Sequence, residues 1–68
     1  MKLKINGEVN EFNNELKTIS DLLTELEIKR PERVAVEINK EIIMQSDFGS
    51  TTVNDDDSIE IVSFVGGG

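Results

Sequence analysis

Residues 18–39, TISDLLTELEIKRPERVAVEIN, change hydrophobic period once, and the rest of the chain has to accommodate that change. In the first half, Ile19, Leu22, Leu23 and Leu26 recur at the spacing of one helical face. Thr18 can cap the first turn with its hydroxyl, and Asp21, three residues on, can answer in a capping box while complementing the helix dipole. Lys29, Arg30 and Pro31 are expected to end the helix, because proline disfavours helical geometry in the residue before it. In the second half, Val34, Val36 and Ile38 alternate with other residues, which is the period of a strand. A helix of two to three turns is too short to stand alone, so it must pack on a sheet.

Working outward, Met1 to Phe12 reads as a hairpin. Leu3 and Ile5 alternate with Lys2, Lys4 and Asn6, and Asn6-Gly7 suits the two positive-φ positions of a type I′ turn. On the return strand Val9 is expected inward, with a bulge or a strand end between Val9 and Phe12. Asn13-Asn14 reads as loop. Beyond residue 39, Asn39-Lys40 reads as a tight turn into Glu41-Ile42-Ile43, Phe48 as an inward anchor beside a turn at Gly49, Thr51 to Val53 as a short strand, NDDDS as a turn and Ser58 to Val65 as the closing strand. The first and last strands can pair in parallel at the centre. These elements predict an α+β fold, a small mixed sheet of four to five strands with one helix packed across it. It resembles the β-grasp fold of ubiquitin-like proteins. Residues 1–65 are expected to form the single domain and residues 66–68 a flexible glycine tail.

Composition narrows the chemistry. The 68 residues contain no cysteine, histidine, tryptophan or tyrosine, so thiolate and histidine metal sites, a Ser-His-Asp triad and a Cys-His dyad are impossible within them. A domain this small buries only about 60% of its unfolded surface and leaves little room for a water-excluding cleft. Fourteen acidic against seven basic residues give a net charge of −7. That disfavours nucleic acid and anionic membranes as partners and suits a basic docking face, or simply keeps a small domain soluble. With no signal-peptide core and no long apolar run, a soluble cytoplasmic protein is expected.

Asp55, Asp56 and Asp57 are contiguous, whereas a calcium loop spaces its ligands and places a glycine among them. They read as a solvated turn, and no metal site is expected. Gly66 to Gly68 is not a phosphate loop, since no helix N-terminus or lysine follows. In SIEIVSFV, Ile59, Ile61 and Val65 share one face with Ser63, while Val62 and Phe64 share the other with Glu60. One face should meet the helix. The other is either a docking surface beside the tail or the completion of a wrapped core.

The tail's carboxyl is an anion at neutral pH and a poor electrophile. Converted to an acyl-adenylate, its carbonyl becomes attackable. Glycines lack Cβ and can thread a narrow channel, and three extended residues reach about 10 Å. The alternative is a passive, frayed end.

NGE in the first hairpin, VAVEINKEII in the middle and DDDSIEIVSFVGGG at the end together resemble the ThiS family of sulfur carriers, over Met1 to Gly68. The resemblance implies that a ThiF-like adenylyltransferase uses ATP to activate Gly68. It further implies that a persulfide donor converts it to a thiocarboxylate, and that thiazole synthase (ThiG) takes the sulfur for thiazole formation in thiamine biosynthesis. Gly68 would be the covalent adenylate and thiocarboxylate residue, Gly66 and Gly67 the threading arm, and Val62 and Phe64 partner-binding residues. No bound cofactor and no catalytic side chain are implied, because the carrier is a co-substrate and not an enzyme. Two departures stand out. The family commonly has Asp-Gly-Asp before the last strand, where Asp56 replaces the glycine and predicts a rearranged or strained turn. After EII the family often has Val-Pro-Arg, where this chain has Met44-Gln45. The alternatives are the small subunit of molybdopterin synthase, which usually has prolines before its tail, a carrier conjugated to protein lysines, and a non-covalent ubiquitin-like interaction module.

Overall fold

The structure, a computed structural model, describes residues 1–64. Strands β1 (Lys2–Ile5) and β2 (Glu8–Glu11) form the hairpin, followed by helix α1 (Ile19–Glu25), strands β3 (Val34–Ile38) and β4 (Glu41–Ile43), and strand β5 (Ser58–Ser63). They form one five-stranded sheet in the order β2-β1-β5-β3-β4. The first and last strands pair in parallel, Ile5 beside Ile59, and the remaining pairs are antiparallel. The core lies between the sheet and α1. Leu3, Val34, Val36 and Ile59 from the sheet meet Ile19, Leu22 and Leu23 from the helix, with Leu16, Phe48 and Val53 closing the ends.

The N-terminus of α1 is built as its residues dictate. The Asp21 backbone N–H donates to Thr18 Oγ1 at 3.2 Å, and the Thr18 N–H donates back to Asp21 Oδ2 at 3.1 Å. The Lys17 N–H also donates to Asp21 Oδ2, at 3.0 Å. These backbone bonds, first from Lys17 and then from Thr18, hold the Asp21 carboxyl below its ordinary value.

The helix ends earlier than the sequence predicts. The Ile28 N–H donates to Leu23 O and the Glu27 N–H to Thr24 O, both at 2.9 Å, which is a Schellman closure. It places Glu27 at φ 61, a conformation usually left to glycine. The chain has therefore left the helix before it reaches Lys29, Arg30 and Pro31. Pro31 instead starts a single 3-10 turn, Pro31–Arg33, that delivers the backbone to β3.

Val9 also differs from expectation. Asn6 and Gly7 have φ 50 and 86, as a two-residue turn with both centres left-handed requires. That turn sets Ile5 opposite Glu8 and Lys4 opposite Val9. Val9 must then share the face of Lys4, and it is 65% exposed. No bulge intervenes, because the register runs unbroken to Lys2 opposite Glu11. The strand ends there, and Phe12 turns in to pack on the core. Thr51 to Val53 contributes one isolated bridge, Thr52 to Thr18, in place of a strand, although Val53 is buried as a strand residue would be.

The predicted strained turn is present. Asp56 sits at φ 71, and its N–H donates to Lys2 O at 2.7 Å. Asn39-Lys40 forms the second left-handed pair, at φ 51 and 74.

Candidate functional site

The parallel pairing of β1 with β5 puts the closing strand at the middle of the sheet, so Phe64, the last described residue, follows a central strand. Two devices hold the C-terminal half of β5. On one side, the Phe64 N–H donates to Arg33 O at 2.8 Å and carries the antiparallel ladder with β3 one residue past the strand. On the other, the Asn6 side chain substitutes for backbone. Its Nδ2 donates to Ile61 O at 3.1 Å, and its Oδ1 accepts from the Ile61 N–H at 2.7 Å. Asn6 thus serves the turn and also prolongs the β1–β5 ladder past the end of β1. The Asn-Gly signal reveals the first role. Nothing in the sequence alone pairs Asn6 with a residue 55 positions away.

The faces of β5 separate as the alternation predicts. Ile59 is fully buried and Ile61 is half-buried on the helix side. Val62 and Phe64 are 58% and 57% exposed. Register places Val62 opposite Ala35, Glu60 opposite Glu37, and Glu37 opposite Ile42, so all five lie on the sheet face that α1 does not cover. Ile42 and Met44, exposed at 69% and 65%, enlarge the apolar surface. Alternation along one strand does not group these two with Val62 and Phe64, because only the sheet order β5-β3-β4 brings them to one side. A shallow cavity of about 300 Å³ opens between Phe64, Met44, Ala35 and Val34. Gly66, Gly67 and Gly68 lie outside the described residues, as does Val65.

The acidic triplet forms a clamp. Asp55 Oδ1 accepts from the Lys2 N–H at 2.6 Å, Asp57 Oδ2 from the Asn54 N–H at 2.8 Å, and Asp57 Oδ1 from Asn39 Nδ2 at 3.0 Å. The Ser58 N–H donates to Asn39 Oδ1 at 3.0 Å, closing the link between the β3–β4 turn and the start of β5. Among the described residues no group of three or more acidic, histidine or cysteine side chains could hold a metal ion. No helix is long and apolar enough to cross a membrane.

A five-stranded mixed sheet with parallel outer-sequence strands at its centre, one helix across it and an uncovered apolar face defines the β-grasp class of ubiquitin-like proteins. The sequence model of the ThiS family matches residues 3–68, and the chain belongs to that family. It is 41% identical over 66 residues to the sulfur carrier protein ThiS of Bacillus subtilis, covering 97% of this chain and 98% of that one. A crystal structure of the thiamine biosynthesis protein ThiS from Geobacter metallireducens superposes with a TM-score of 0.84 at 35% identity, covering 100% of both chains. The thiazole synthase of Paramagnetospirillum magneticum is 47% identical over 68 residues, which are 100% of this chain and 20% of that protein. The chain thus spans about a fifth of the length of the thiazole synthases it matches.

Proposed function

We propose that this chain is a sulfur carrier of thiamine biosynthesis, working in the cytoplasm as a co-substrate of other enzymes. The observation that carries the reading is the exposed apolar face ending at Phe64, two residues before Gly66-Gly67-Gly68, in a chain without cysteine or histidine. Residues 1–65 are the body that partners grip, with Val62 and Phe64 at the contact. Gly66 and Gly67 are the thin arm, and Gly68 is the residue modified.

The chemistry follows from the carboxylate. A Gly68 oxygen attacks the α-phosphorus of ATP on a ThiF-like adenylyltransferase, and pyrophosphate leaves. The acyl-adenylate has a good leaving group where the free carboxylate had none. The terminal sulfur of a persulfide attacks the carbonyl carbon and AMP departs. Thiol reduction of the resulting acyl disulfide leaves the thiocarboxylate. Thiazole synthase then takes the sulfur. Joint action with that enzyme is supported by the proteins named thiazole synthase that contain a segment similar to this whole chain. Appending one alanine after Gly68 moves the carboxylate beyond the glycine arm and puts a Cβ in its path. The extended chain is expected to lose ATP-dependent modification, and unimpaired modification would overturn the reading.

A further inference from the structure

The first hairpin turn holds a reactive pair that sulfur carriage does not use. Of the chain's six asparagines, only Asn6 is followed by glycine. The Gly7 nitrogen has no neighbouring Cβ to shield it, and the space beside it is open, with nothing within 4 Å of where a Cβ would stand. Both residues are exposed. An asparagine amide that swings freely next to such a nitrogen is attacked by it. In the folded chain this amide does not swing. Its Nδ2 donates to Ile61 O at 3.1 Å and its Oδ1 accepts from the Ile61 N–H at 2.7 Å, so both polar atoms are committed to β5 and not to the turn's own backbone.

We propose that Asn6 is a self-modification site, a deamidation centre restrained by its two bonds to Ile61, and that its reaction irreversibly releases β5 on the β1 side. When the clamp opens, the Gly7 nitrogen attacks Asn6 Cγ. The new C–N bond closes a succinimide, the Cγ–Nδ2 bond breaks, and the amide nitrogen leaves as ammonia with the Gly7 proton. Water then opens the ring at either carbonyl, so the net change is exchange of NH2 for OH with no redox step. Opening at the main-chain carbonyl gives isoaspartate, which adds a carbon to the backbone and destroys the two-residue turn that sets Ile5 opposite Glu8. Opening at Cγ gives aspartate, an anion at neutral pH in a chain already at −7. Its oxygens can accept from the Ile61 N–H, but nothing remains to donate to the Ile61 carbonyl. Neither product rebuilds the clamp, and the residue it held is followed directly by Val62 and Phe64.

The test incubates the full chain at mildly alkaline pH, folded in one arm and unfolded in guanidinium chloride in the other. Mass spectrometry with fragmentation follows the amide-to-acid exchange at each asparagine and separates aspartate from isoaspartate. Asn6 should react first in the unfolded arm. Two hydrogen bonds of ordinary net strength keep the opened amide a minority, so the folded chain should react about thirtyfold more slowly. The modified protein, separated by its extra negative charge on anion exchange, should melt several degrees below the unmodified chain through a cooperative transition. Equal rates in the two arms would mean that the bonds to Ile61 restrain nothing, and an unchanged Tm after modification would mean that β5 is not released. Either result overturns the proposal, as does exchange at the other asparagines ahead of Asn6 in the unfolded arm.

Discussion

Asn6 combines two roles that a single substitution can separate. As the first centre of a type I′ turn it needs only positive φ, and glycine supplies that at least as well. As a clamp it needs its amide, which exchanges bonds of 3.1 and 2.7 Å with Ile61. Asn6→Gly keeps the first and deletes the second. Two hydrogen bonds at about 1 kcal/mol net apiece amount to about 2 kcal/mol. Glycine's greater freedom in the unfolded chain and its ease at positive φ act in opposite directions and nearly cancel. A net loss of about 1–2 kcal/mol corresponds to roughly 4–16 °C in Tm for a domain of this size. Asn6→Asp is the companion variant. Its carboxylate can still accept from the Ile61 N–H but faces the Ile61 carbonyl where the amide had donated, so it should also lose stability. Thermal and urea unfolding followed by circular dichroism measure both. If Asn6→Gly proves as stable as the parent or more so, Asn6 is a turn residue only and the clamp contributes nothing.

Other outcomes follow from the same structure. Glycine at Glu27, Lys40 or Asp56 should each raise stability by about 1 kcal/mol by removing a left-handed side chain, read as an upward shift of the urea midpoint without a change in slope. Asp21 binds its proton less readily when folded than when unfolded. Its contribution is therefore complete above the ordinary carboxylate range and is lost as pH falls through its depressed folded value. Accordingly, Asp21→Asn should be less stable than the parent near neutrality, with the gap closing under acid in pH-dependent unfolding curves. Leu22→Ala removes a fully buried side chain from the helix–sheet interface and should cost about 2–5 kcal/mol, enough to abolish cooperative unfolding in so small a domain.

Where local chemistry alone determines conformation, the sequence is sufficient. Thr18 and Asp21 build their capping box, Asn6-Gly7 turns left-handed, and the alternation in Ser58–Ser63 sorts Ile59 inward and Val62 outward. Val9 shows how a general expectation of inward valine yields to geometry, since a two-residue turn fixes the register and register fixes the face. The helix end was hidden for a different reason. A Schellman closure normally advertises itself by glycine, and here glutamate occupies the left-handed position, so proline four residues later drew the boundary. Leu16 and Val53, buried in irregular segments, carry no periodicity to mark them. The candidate site was half legible. Val62 and Phe64 follow from one strand's alternation, whereas Ile42, Met44 and the opposition of Glu37 to Glu60 exist only once β5, β3 and β4 lie side by side.

The central claim concerns the last residue, and intact-mass spectrometry reads it directly. The full chain is incubated with ATP, the activating enzyme of the same organism, a persulfide-generating sulfur source and a thiol reductant, and then weighed whole. The account predicts exchange of one oxygen for sulfur, dependent on ATP and located by fragmentation at Gly68. An unaltered mass under conditions in which that enzyme adenylates another carrier would contradict it.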